Sequence, residues 1–219
     1  MTGETRPIFD GPPSDDEFEE PMLPSKIYLI DRSSNLVAEW KNSFADCPEV
    51  EVIAGSYFQQ PADVIVSPAN SFGIMDGGLD LAIRDELGFV AQRKIQEVIV
   101  AKHHGELPIG CAEIIETGDS RWRYMVAAPT MRIPEPISFT INAYLAFRAI
   151  LVAIENLNRN MCKREIDSVV CSGLGTGVGK VSSLKCARQM RAAYKSMKEL
   201  ARIPDFKGIH DFHRAILVL

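Results

Sequence analysis

Apolar positions along the chain alternate between two periods. Short runs dense in β-branched residues occur at 26–31 (KIYLID), 50–54 (VEVIA), 62–66 (ADVIV), 112–116 (AEIIE), 124–128 (YMVAA) and 167–171 (DSVVC). Their length and composition predict buried strands. Between them the apolar residues fall three and four apart, as at Leu79, Ala82, Ile83 and Leu87, or Leu184, Ala187, Met190, Ala193, Tyr194, Met197 and Leu200. That spacing predicts helices there and over 33–44, 89–103 and 139–157. Strands alternating with helices imply an α/β fold, with a mixed, largely parallel central sheet covered on both faces. No internal repeat or low-complexity stretch interrupts the alternation.

Two strand-to-helix transitions carry unusual loops. After the strand at 62–66 the chain turns at Pro68, passes Asn70, Gly73 and the pair Gly77-Gly78, and enters a helix beginning near Asp80. After the strand at 167–171 it runs through SGLGTGVGK, with glycines at 173, 175, 177 and 179. Strand, glycine-bearing loop, helix aims backbone N–H groups and a positive helix end at an anion, usually a phosphate. Glycine removes side chains, so a ligand can approach the backbone closely. Neither loop fits GxGxxG or the full GxxxxGK[ST], although Gly179-Lys180 comes near the second. A glycine turn is as readily a tight bend as a ligand loop. Two of them, each between a buried strand and a helix, point to a ligand with two linked phosphates. Asp80, near a helix start, either complements the helix dipole or activates a water beside that ligand.

Composition narrows the class. A chain of 219 residues with 46% hydrophobic content suffices for one sizeable core. A net charge of −5 argues against a broad nucleic-acid surface. Five scattered cysteines (Cys47, Cys111, Cys162, Cys171, Cys186), with no CxxC, favour reduced thiols and a cytoplasmic setting. Neither a signal peptide nor an apolar run of about 20 residues is seen, so no membrane partner is expected. His210 and His213 could share a helical face, but no third ligand joins them, so no metal is assigned. Residues 1–25 are rich in Asp, Glu and Pro (Asp15, Asp16, Glu17, Glu19, Glu20, Pro12, Pro13) and read as a solvated tail, with the folded domain over 26–219. Tyr57 and Phe72 flank the glycine loops, where either could stack on a ligand or pack the core. Arg132 either reaches a phosphate or faces solvent, and Trp122-Arg123 reads as part of a hairpin turn.

The first loop, SPANSFGIMDGGLDLAI, resembles the first ligand loop of macro domains, in which an NAAN segment, a spacer and a glycine run precede a helix. SGLGTGVGK resembles their second loop, which clasps the diphosphate of ADP-ribose. Residues 110–132 resemble the intervening strand pair and the loop contacting the distal ribose, and the likeness extends over about residues 51–200. The resemblance implies a three-layer α-β-α macro domain. By it, Asn70 hydrogen-bonds the distal ribose hydroxyls, and Ala69, Gly77, Gly78 and Leu79 lie against that ribose and its phosphate. Gly173, Gly175, Thr176, Gly177, Val178 and Gly179 form the diphosphate-clasping turn. Asp80 matches the aspartate that positions or activates water in hydrolases of this type. Three positions depart from the pattern. Ser56, in Gly55-Ser56-Tyr57, stands where an Asp usually binds adenine; Ser67 replaces the first Asn of NAAN; and Asp76 interrupts the glycine run.

The resemblance therefore implies a protein that binds ADP-ribose, or an ADP-ribosylated protein, and hydrolyses ADP-ribosyl esters, with Asn70 and Asp80 catalytic and no cofactor. A non-catalytic ADP-ribose reader and an ADP-ribose phosphate phosphatase are the alternatives. A generic nucleotide module using Lys180 as a P-loop lysine lacks a complete motif.

Overall fold

The computed structural model describes residues 20–218. Twelve elements follow in order: β1 (Lys26–Asp31), α1 (Ser34–Ser43), β2 (Val50–Ala54), β3 (Val64–Ser67), α2 (Gly78–Leu87), α3 (Phe89–His103), β4 (Glu113–Glu116), β5 (Tyr124–Ala127), α4 (Asn142–Asn160), β6 (Ser168–Cys171), α5 (Ser183–Lys198) and α6 (Phe206–Val218). The sheet order is β2-β1-β6-β3-β5-β4. Every pairing is parallel except the β4–β5 hairpin, whose connection contains Trp122 and Arg123.

Residues alternating along each central strand divide between two cores. Leu29, Val64, Val66, Val126, Val169 and Cys171 face α1, α4 and α5, where Leu36, Trp40, Phe147, Ile150 and Met190 bury against them. Ile30, Ile65, Met125, Ala127 and Val170 face α2 and α3, where Ile83, Ile95 and Ile99 complete the second core. Burial on both faces is why these strands read as continuous apolar runs. The result is the expected three-layer α/β/α arrangement.

One side chain shapes the middle of the sheet. β3 and β6 pair directly only at Val64–Val169 and Ile65–Val170. At the next position the buried Tyr57, from a 3-10 turn after β2, inserts its hydroxyl between them. The oxygen accepts from the Val66 N–H at 3.0 Å and lies 2.7 Å and 2.8 Å from the carbonyls of Val66 and Val170. Having one proton, it donates to one of those carbonyls at a time.

Three boundaries differ from the sequence reading. α4 begins at Asn142, not near Phe139, and ends at Asn160. The residues before it are engaged elsewhere: the Ile137 N–H donates to the Gly179 carbonyl at 2.8 Å, and Lys185 reaches the Ser138 carbonyl at 2.9 Å. Residues 1–19 of the acidic segment lie outside the described residues. Its last part packs on the body, with Leu23 buried and the Met22 carbonyl accepting from Asn158 at 3.0 Å. α6, unassigned in the periodicity apart from the His210–His213 spacing, crosses α5 with Ile216 buried and Phe206 exposed. Among the described residues no helix is long and apolar enough to cross a membrane.

Candidate functional site

Because β2, β1, β6, β3 and β5 run parallel, their carboxyl ends lie along one edge of the sheet, the usual position for ligands in such folds. The segments following these five strands line a single cleft of about 500 Å³. Ser56, Ala69, Asn70, Gly77, Gly78, Leu79, Asp80, Gly173, Gly175, Thr176, Gly177, Val178 and Gly179 all lie on its wall. The two glycine loops leave adjacent strands, β3 and β6.

The second loop is built from backbone. A Cβ on Gly179 would stand 2.5 Å from the Gly175 carbonyl oxygen and 2.7 Å from the Ile137 side chain, so only glycine fits there. The Val181 N–H donates to the Gly175 carbonyl at 3.1 Å, closing the turn. Among the described residues no protein acceptor takes the N–H groups of Thr176, Gly177, Val178 or Gly179. The first-turn N–H groups of α2, at Gly78, Leu79 and Asp80, are equally free and open from the other side of the cleft. Unpaired donors at a helix N-terminus and in a glycine turn are anion acceptors by construction.

The first loop carries side-chain chemistry. Asn70 braces the loop itself: its Oδ1 accepts from the Phe72 and Ile74 N–H groups (3.1 and 3.3 Å), and its Nδ2 donates to the Ile74 carbonyl (2.7 Å). One amide hydrogen remains for a ligand. Asp80 is held at Oδ1 by the Ser67 hydroxyl, 2.7 Å away. Burial of the carboxyl is the main cause that pushes its pKa up to about 6; the Ser67 hydrogen bond opposes the rise and the Asp76 charge adds to it. Asp76 is exposed at the cleft mouth. At neutral pH Asp80 is thus largely ionised yet basic enough to take a proton, the condition that favours a general base.

Several lining residues escaped the sequence reading. Asp31 ends β1 and bridges to the second loop, accepting from the Ser33 N–H at 2.8 Å and the Gly173 N–H at 3.3 Å. Arg32, beside it, is the one cation on the wall among the described residues. Thr130 is buried between the ends of β3 and β5, its N–H donating to Ala69 at 3.1 Å. Ser67, buried and not itself on the wall, stands out in the sequence only as a departure from the family pattern. Strand order brings these groups to the cleft, and no local spacing announces them.

Other singled-out residues lie elsewhere. Arg132 pairs with Glu106 at 2.7 Å and stacks over Phe72, away from the lining. Trp122 is buried and donates to the Gln60 carbonyl at 2.9 Å. Cys171 is buried beneath the second loop, its thiol pushed well up by burial. His210 packs its ring against Phe206 on α6. Among the described residues no group of three His, Cys, Asp or Glu could hold a metal.

A family model described as Macro domain matches residues 66–190, a span running from the end of β3 to the middle of α5 and so containing both loops. The chain belongs to the macro domain family. An uncharacterized protein of Aquifex aeolicus is 33% identical over 142 residues, covering 65% of this chain and 78% of that relative. Among solved structures, the macrodomain of Mycobacterium tuberculosis DarG superposes with a TM-score of 0.52 at 20% identity, covering 67% of this chain and 90% of that one. A variant of the Oceanobacillus iheyensis macrodomain, solved with ADPR, superposes with a TM-score of 0.50 at 18% identity, covering 67% and 77%. These likenesses establish the fold; the cleft chemistry of this macro domain is read from its own residues.

Proposed function

We propose that this macro domain binds ADP-ribose along the cleft and hydrolyses the ester that joins ADP-ribose to an acidic side chain or to acetate. The carrying observation is the pair of unpaired N–H rows, Gly78–Asp80 and Thr176–Gly179, facing one cleft from adjacent strands beside a basic carboxylate. The diphosphate sits between the rows, where backbone donors hold it without a metal. The adenosine extends toward the β1 and β2 ends, past Asp31 and Ser56. The distal ribose extends toward Asn70 and Asp80, and the remaining Asn70 amide hydrogen is free for a ribose hydroxyl.

For an ester at the anomeric carbon, the Asp80 oxygen not held by Ser67 takes a proton from water as the water oxygen bonds to that carbon. The bond from that carbon to the ester oxygen breaks, and the leaving group departs as a carboxylate. Diphosphate binding far from the reacting bond holds that bond in line with the water. General base catalysis of this kind contributes about 10²–10⁴-fold. Five free cysteines among the described residues support a reducing, cytoplasmic setting for such an enzyme.

Asp80→Ala tests the assignment. Turnover of an ADP-ribosyl ester should fall by about 10²–10⁴-fold, while ADP-ribose affinity by calorimetry stays within about threefold. Unchanged turnover would make the chain a reader, and equal loss of affinity and turnover would make Asp80 a binding residue.

A further inference from the structure

Ser67 is the last residue of β3 and is 1% exposed, yet nothing in the sheet requires a hydroxyl there. Its single proton is directed at Asp80 Oδ1, 2.7 Å away and thirteen residues along the chain. Among the described residues it is the one side chain that donates to this carboxylate. We infer that Ser67 is a positioning residue, which fixes one oxygen of Asp80 and keeps the carboxylate ionised, so that the other oxygen meets the ligand as a base.

The neighbouring groups leave this task to Ser67. Asp76, from the same loop, brings a like charge and disfavours ionisation. Tyr57, from the turn after β2, is close enough to feel the Asp80 charge, but its proton goes to the Val66 or Val170 carbonyl. Arg84, one turn along α2, is directed to Asp85 at 3.6 Å. Burial and Asp76 therefore both push Asp80 toward the neutral acid, and the serine hydroxyl opposes them. The macro-domain pattern has Asn where this chain has Ser67, so this hydroxyl is a feature of this chain.

The inference rests on the hydrolase reading for its consequence, but its first test needs no turnover. In the ligand-free, full-length protein, carboxyl-carbon NMR follows the titration of Asp80. Ser67→Ala should raise the midpoint by about one pH unit, the scale on which a hydrogen bond to a charged group moves a carboxyl. Ser67→Thr, which keeps the hydroxyl, should return the midpoint to the wild-type value. In turnover assays the acidic limb of the kcat profile for Ser67→Ala should move upward by the same amount. The loss should then be roughly tenfold near pH 5.5 and under about twofold at pH 8.5. ADP-ribose affinity at pH 8 should change by less than about threefold. An unmoved midpoint, or a loss of kcat equal at every pH, overturns the inference. If Asp80→Ala retains turnover while the midpoint still moves, the hydrolase reading fails and the control of Asp80 by Ser67 stands.

Discussion

The two glycine loops begin on adjacent strands and end in helices, yet they are built in opposite ways. In the second, Gly173, Gly175 and Gly179 are packed hard against Leu36, Ile137, Val181 and their own turn, and the loop carries no ionisable side chain to the cleft. In the first, Gly77 and Gly78 have open space around them, and Asn70, Asp76 and Asp80 supply the functional groups. Clasping a diphosphate needs only shape and N–H direction, so every side chain there is an obstacle. Breaking a bond needs a titratable group, and the first loop retains one despite the cost of burying it. On the proposed reading, binding and chemistry are separated by a single inter-strand step.

Substitutions can break or sharpen that contrast. Gly179→Val should act most strongly, because its Cβ meets the backbone oxygen of Gly175 and nothing can move aside. We expect a destabilisation of about 1–3 kcal/mol in urea unfolding and a roughly hundredfold loss of ADP-ribose affinity. A variant with wild-type affinity would show that the second loop is not the diphosphate site.

Asp80→Asn should stabilise the protein, and the gain should depend on pH. The folded-state pKa, about 6, lies above the ordinary 3.8, so the folded protein binds this proton more tightly than the unfolded chain does. Wild-type stability from this group is present below about pH 4 and is lost as pH rises to about 6. The substitution should therefore be neutral near pH 3.5 and worth about 1–3 kcal/mol at pH 7. Denaturant curves at the two pH values decide it; equal effects at both would mean that the carboxyl is not held in its neutral-favouring site.

The smallest effect is expected at Gly77, whose backbone is extended and whose Cβ direction is empty. Gly77→Ala should change stability by less than about 1 kcal/mol. The added methyl group would project toward the ligand, so ADP-ribose affinity should fall about fivefold. If stability falls and affinity does not, Gly77 serves the bend of the first loop and not the ligand.

Local pattern made both loops legible, because each announces itself by a β-branched run, a cluster of glycines and a return to helical spacing. The macro-domain resemblance added Ser56, Ala69 and Leu79, and the fold sets all thirteen residues on one cleft wall. Asp31, Arg32 and Thr130 stayed hidden because they reach the cleft only through the order β2-β1-β6-β3-β5-β4, which joins strands far apart in the chain. Ser67 was visible only as a missing Asn, since its partner lies thirteen residues away across a loop. The start of α4 was misplaced because Ile137 and Ser138 are engaged with the second loop and α5, a tertiary contact that overrides apolar spacing. Leu23 was assigned to the tail because a single leucine among prolines and acids shows no period.

Tyr57 bears on the width of the cleft. Where β3 and β6 would form their next rung, the sheet is propped open by a phenol, and the two glycine loops depart from either side of that prop. The gap between them is therefore set by one hydroxyl that bonds to both strands and not by a direct peptide ladder. The ring is buried and its oxygen is held by three backbone groups, so the gap is a fixed gauge, cut before any ligand arrives.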